Sequence, residues 1–102
     1  MIVFCSVPDR EAGRRIATAL VEEGLCACVN RLPSVTSYYI YDGRFCEEPE
    51  ELLIIKTLPS HFEALKQRIL ELHPYDIPEI IATEIAAGHD AYMQWLGAAL
   101  KR

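Results

Sequence analysis

Four cysteines, three histidines and a block of glutamates are the residues of this sequence best equipped for chemistry. The thiols are Cys5, Cys26, Cys28 and Cys46, and the imidazoles are His61, His73 and His89. A thiolate and an imidazole are good ligands for copper or zinc. Cys5 lies late in a short apolar segment, and His73 opens the stiff stretch His73-Pro74-Tyr75-Asp76-Ile77-Pro78. Two such ligands fall short of the four of a structural zinc site. Cys26-Ala27-Cys28 is not a Cys-x-x-Cys half-site; on a strand its two sulfurs share a face, which allows a soft-metal contact without implying one. Glu47-Glu48-Pro49-Glu50-Glu51 could attract divalent cations. Alternation scatters those carboxylates over two faces, so a solvated, aggregation-resistant strand edge is predicted instead. No Ser or Cys nucleophile motif surrounds the histidines, and G-x-S-x-G, a P-loop and H-E-x-x-H are absent. No acid–base pair stands out, so catalysis is not expected.

The elements that must position these residues follow from pattern. Ile2 to Val7 is apolar and β-branched, as a buried strand requires. Asp9 is a predicted N-cap for a helix whose apolar face is Ala12, Ile16, Ala19 and Leu20, and Gly24 is its stop. Ala27 to Tyr41 reads as a strand interrupted at Pro33, and Arg44 to Thr57 as its partner interrupted at Pro49. Asp42-Gly43 between them is a two-residue hairpin turn. Ser60, with Glu63 in the capping-box position, predicts a second helix with the stripe Phe62, Leu65, Ile69 and Leu72. Glu79 to Ile85 reads as a strand. A last helix starts at Gly88-His89-Asp90 and turns Tyr92, Trp95, Leu96, Ala99 and Leu100 to the core. The order β-α-β-β-α-β plus a terminal helix is the ferredoxin-like arrangement: an α+β fold with an antiparallel sheet and helices on one face.

The chain has 102 residues, a net charge of −5 and 51% hydrophobic residues, which suits one globular domain over residues 1–102. Net acidity argues against a nucleic-acid partner. No run approaches the ~20 apolar residues of a membrane helix. Met1-Ile2-Val3-Phe4-Cys5 starts directly as a strand with no signal-peptide pattern, so a cytoplasmic protein with reduced thiols is expected. The third strand carries Leu52-Leu53-Ile54-Ile55-Lys56-Thr57 without the stacking aromatics of an RNA-recognition module. Cys5-Ser6-Val7-Pro8 stands where a copper chaperone would carry Cys-x-x-Cys.

The hairpin exceeds its own domain. Ala27 to Tyr41 spans about 45–50 Å at ~3.3 Å per residue, against a diameter of roughly 33 Å for a chain this size. With Asp42-Gly43 as the turn, Tyr41 faces Arg44 and Ile40 faces Phe45. Tyr38, Ile40 and Phe45 then share one face; Tyr39, Tyr41 and Cys46 share the other. A two-stranded tip with large apolar groups on both faces is expected to bury itself against another chain.

Five segments together resemble a known family. They are Gly24 to Asn30, Tyr39 to Gly43, Ile54 to Thr57, His73-Pro74-Tyr75-Asp76-Ile77-Pro78-Glu79, and Tyr92 to Leu96. In this order they are similar to the CutA divalent-cation tolerance proteins. The resemblance implies a ferredoxin-like subunit akin to the PII signalling fold, in an interlocked homotrimer built through Tyr38, Tyr39, Ile40, Tyr41 and Phe45. It also implies a link to tolerance of copper or other divalent metal ions, with no organic cofactor. The family's proposed copper ligands map onto Cys5 and His73, near a subunit boundary, with Cys28 a weaker third. Some members carry a second His where this chain has Leu72, which implies weak binding here. The alternative expectation is a PII-like signalling or scaffold trimer that takes a small ligand or partner protein in its inter-subunit clefts.

Overall fold

Alternation organises the first strand. In a computed structural model, which describes residues 1–101, β1 (Ile2–Val7) turns Val3, Cys5 and Val7 into the core and leaves Ile2, Phe4 and Ser6 on the opposite face. Helix α1 (Arg10–Glu22) follows. Its N-cap is Asp9, whose Oδ1 accepts the Ala12 backbone N–H at 2.9 Å. Ala12, Ile16 and Leu20 form its buried stripe. Gly24 ends the turn at φ 71°, a conformation that costs a glycine little. Asp9→Ala is expected to cost about 1 kcal/mol, as cap removals do, and to appear as a lower midpoint in urea unfolding.

The long hairpin is continuous. β2 (Cys28–Tyr41) and β3 (Arg44–Lys56) pair antiparallel from Cys28 opposite Lys56 to Tyr41 opposite Arg44. Asp42 at φ 53° and Gly43 at φ 76° make the tight turn, as the sequence predicts. The expected interruption at Pro33 is a bulge: register shifts between Leu32 and Val35, and Ser34 takes φ 64°. Pro49 does not break β3 and stays in register opposite Thr36. The long axis of the molecule is 45 Å against 26 and 21 Å, so the hairpin overhangs as its length required.

The second half departs from expectation in four places. Ser60 is not a helix cap: Pro59–His61 forms a 3-10 turn, and the Ser60 hydroxyl pairs with His61 Nδ1 at 2.9 Å. Helix α2 (Phe62–Leu72) begins only after it and buries Leu65 and Ile69. Strand β4 is three residues, Ile81–Thr83, because β1 offers it partners only at Ile2, Val3 and Phe4. Helix α3 (Asp90–Ala98) and the residue after next seat Leu96 and Leu100 at i, i+4 spacing. Trp95 and Tyr92 lie off that stripe; they stack on each other at 5.5 Å and stay exposed, not in the core.

The four strands form one antiparallel sheet in the order β2-β3-β1-β4. Three helices join it in an α+β domain, as the element order predicts. One face of the sheet packs the core, in which Val3, Cys5, Val7, Leu53 and Ile55 meet Ile16, Leu20, Leu65 and Ile69. The other face bears the alternate residues, Phe4, Leu52 and Ile54, with Leu32 opposite Leu52 and Ile81 opposite Phe4.

Candidate functional site

Cys5 and His73 arrive at one point from opposite ends of the chain. Strand alternation points Cys5 into the core, where its residue is fully buried. His73 is the C-cap of α2, with φ −75° and ψ 136°, and is 7% exposed. Its Nε2 lies 2.8 Å from the Ser6 carbonyl oxygen, and the Cys5 thiol lies 3.7 Å from the same oxygen. The two side chains predicted as ligands thus converge on a shared acceptor.

Their protonation follows from their partners. His73 Nδ1 accepts the Tyr75 backbone N–H at 3.1 Å, so the ring proton sits on Nε2 and is donated to Ser6. Both nitrogen positions are engaged, and neither offers a free lone pair. Burial first, then the charges of Glu79 and Glu50, pushes the Cys5 thiol up to about 12. As they stand, these side chains do not fit a bound ion, which needs a thiolate and an imidazole lone pair. Among the described residues no three His, Cys, Asp or Glu side chains are grouped to hold a metal. Cys28 is not brought to them. It sits opposite Lys56 at the Ile2 end of the sheet, its Sγ 3.9 Å from Lys56 Nζ. All four cysteines are free thiols.

A cavity of about 670 Å³ opens beside this pair. Ser6, Ser37, Tyr39, Tyr41 and Glu50 line it from the strands, and Tyr75, Asp76, Ile77 and Glu79 from the segment after α2. The sequence reading of the acidic run fails here. Glu50 lies where β3 extends past β1 and pairs only with β2, yet it is only 6% exposed, because the segment after α2 lies against it and its Oε2 accepts the Tyr75 hydroxyl at 2.7 Å. Glu51, one residue on and therefore on the other face, pairs with Arg31 at 2.6 Å. Only Glu47, Glu48 and Pro49 of the run are exposed, as a solvated stretch would be. Burial first, then the hydrogen bond and charge of Glu50, raises Tyr75 well above the usual phenol range, so it remains a donor. His73 stacks on Tyr75 at 4.8 Å and, through Ser6, ties the loop to β1.

Over residues 1–99 the chain matches the family described as CutA1 divalent ion tolerance protein. The chain belongs to that family. It is similar to the divalent-cation tolerance protein CutA of Thermus thermophilus, with 48% identity over 93% of this chain and 92% of the relative. It is also 45% identical to the chloroplastic protein CutA of Arabidopsis thaliana over 94% of this chain, and spans about half, 53%, of that longer relative. The solved structure of the divalent cation tolerance protein from Thermus thermophilus superposes with a TM-score of 0.95 at 46% identity, covering 98% of this chain and 97% of that one. The CutA1 membership agrees with the ferredoxin-like order read from the strands and helices. What the sequence missed in this CutA1 chain is the Glu50–Tyr75 pair. Its only trace in the sequence is a tyrosine inside the stiff His73–Pro78 connection and a glutamate that Pro49 separates from Glu47 and Glu48.

Proposed function

We propose that this CutA1-family chain acts as a homotrimer in the divalent metal-ion response, binding copper or another divalent ion weakly and catalysing no reaction. The observation that carries the assembly is a continuous unpartnered surface. The helix-free face of the sheet runs into a hairpin tip where Ile40 is 74% and Phe45 70% exposed on one side, and Tyr39 and Tyr41 are exposed on the other. A cyclic trimer needs two different complementary patches per subunit. The tip is one. Ile77 and Ile81, exposed before and on the short edge strand β4, or Tyr92 and Trp95, exposed on α3, offer the second.

Metal binding at Cys5 and His73 is proposed to be weak because both side chains are already committed within the fold. An ion taken there displaces a bond to Ser6 or Tyr75 and expels a thiol proton, and both costs subtract from affinity. The pH dependence has a definite sign. Because burial pushes the Cys5 thiol well above neutrality, affinity for an ion held by its thiolate is expected to rise with pH throughout the neutral range, by about tenfold per unit for one proton released. Copper titrations of the wild type at pH 6, 7 and 8, and of Cys5→Ser and His73→Ala at pH 7, test this. Equal affinities for all three proteins, or no pH slope, sink the assignment. A cytoplasmic location is part of the proposal, which fractionation of cells expressing the chain at its native level tests.

A second reading is favoured by the cavity and by the satisfied state of His73. In it the trimer is a PII-like signalling or scaffold protein whose clefts take a small ligand or partner protein. A thermal-shift screen separates the two: stabilisation by organic ligands with metals silent supports the second, and the reverse supports the first.

A further inference from the structure

We propose that the outer face of α1 is a docking surface for the same face of a second copy of this chain, the two helices lying antiparallel about a two-fold axis through Thr18. This surface is separate from those given to the trimer. The helix-free face that continues into the hairpin tip lies across the sheet, whereas α1 packs Ala12, Ile16 and Leu20 on the core face and turns its other side outward. Arg10, Arg14, Thr18 and Glu22 stand on that outward side and are exposed.

Three observations carry the inference. First, the charges oppose their own helix. Glu11 apart, the first half of α1 carries Arg10, Arg14 and Arg15, Glu22 and Glu23 stand at its end, and no basic residue lies in its last turn. The helix dipole favours the reverse order, so these charges are not placed to stabilise α1. Second, the outermost of them have no partner of opposite sign. Arg15 donates to the Leu72 carbonyl and Glu23 pairs with Arg68, but among the described residues no ion pair includes Arg10, Arg14 or Glu22. Lys101 Nζ donates to the Glu22 backbone carbonyl, not to its carboxylate. Third, the spacing is complementary to itself. Arg14, Thr18 and Glu22 recur every four residues and form one ridge, with steps of about 6 Å. A second copy turned end for end about Thr18 sets Arg14 against the partner's Glu22, and Glu22 against the partner's Arg14. Thr18, at the axis, is small enough to let the helices close. Arg10 then points toward the C-terminal end of the partner's helix, where a cation is favoured.

An acidic or a basic peptide matches only one half of this ridge; a second copy matches both, as a two-fold contact requires. The net charge of −5 on each copy opposes any contact that is not locally complementary. One helix crossing is smaller than a standard interface, so the association is weak, reversible and sensitive to salt.

Light scattering of the native oligomer at about 200 µM chain, in about 50 mM and about 500 mM salt, tests this. The mass at low salt is expected to be at least twofold that at high salt. Arg14→Glu and Glu22→Arg are each expected to hold the low-salt mass at the high-salt value, by setting like charges face to face. The double variant is expected to restore the larger species. The two single changes move the net charge in opposite directions and the double returns it to −5, so a general charge effect does not produce this pattern. Both single changes bring the charges closer to the order the dipole favours, so neither is expected to lower the melting temperature at high salt. A wild-type mass that does not change with salt overturns the proposal. So does a low-salt assembly that survives both single reversals, or a double variant that fails to recover it.

Discussion

Ile40→Asp and Phe45→Asp are each expected to abolish the trimer, giving monomers in light scattering at micromolar concentration. The two residues are directly paired across the hairpin and lie almost free of their own subunit. Burying such a side chain against a neighbour contributes ~1.5–3 kcal/mol. In a cyclic trimer each substitution acts three times, so about 5–9 kcal/mol of assembly energy is removed per trimer. The new carboxylate adds a desolvation penalty at every interface. Each subunit should keep its circular dichroism, because neither side chain belongs to the core around Ile16, Leu20, Leu53 and Ile55. Full oligomer stability in both variants would show that the tip is not an interface.

Replacing His73 by alanine should destabilise the chain by about 2–3 kcal/mol, whatever the metal content. The imidazole donates to the half-buried Ser6 carbonyl and accepts from Tyr75, so its removal leaves two backbone groups without their protein partner. A lost buried partner costs ~1–3 kcal/mol, and the ring's packing against Tyr75 goes with it. For a domain of this size that is a fall of roughly 10 °C or more in melting temperature, measured at one protein concentration because assembly is linked to folding. His73→Gln retains a donor and is expected to recover part of the loss. This pair also disentangles the metal experiment. If His73 is a ligand, glutamine restores stability without restoring copper affinity. An unchanged melting temperature in His73→Ala would show that the imidazole does not hold the loop.

Local signals read well in this chain. Asp9 caps α1, Gly24 ends it, and Asp42-Gly43 turns the hairpin in the register that pairs Ile40 with Phe45. Each depends on neighbours within a few residues, and backbone preference there is strong. Ser60 misled because proline at 59 favours a tighter first turn and the hydroxyl found His61 instead. Tyr92 and Trp95 misled because apolar spacing marks a helix face but not what covers it. The acidic run misled for a similar reason: the loop carrying Tyr75 lies against Glu50, a contact that strand alternation does not reveal.

By itself, then, the sequence determined the α+β order, the overlong hairpin with aromatics on both faces, the acidity that argues against nucleic acid, and the resemblance carried by the His73–Glu79 block. Only the tertiary structure decided what Cys5, His73 and Glu50 are doing. His73 meets Ser6 across 67 positions and Tyr75 meets Glu50 across 25. Contacts over such distances depend on strand order and on the loop's return to β1, which no local pattern encodes. Chain folding commits the imidazole's hydrogen bonds to the backbone and buries Glu50 against the Tyr75 hydroxyl. The residues best suited to metals by type therefore also hold the fold together, and a glutamate read as surface anchors the loop after α2.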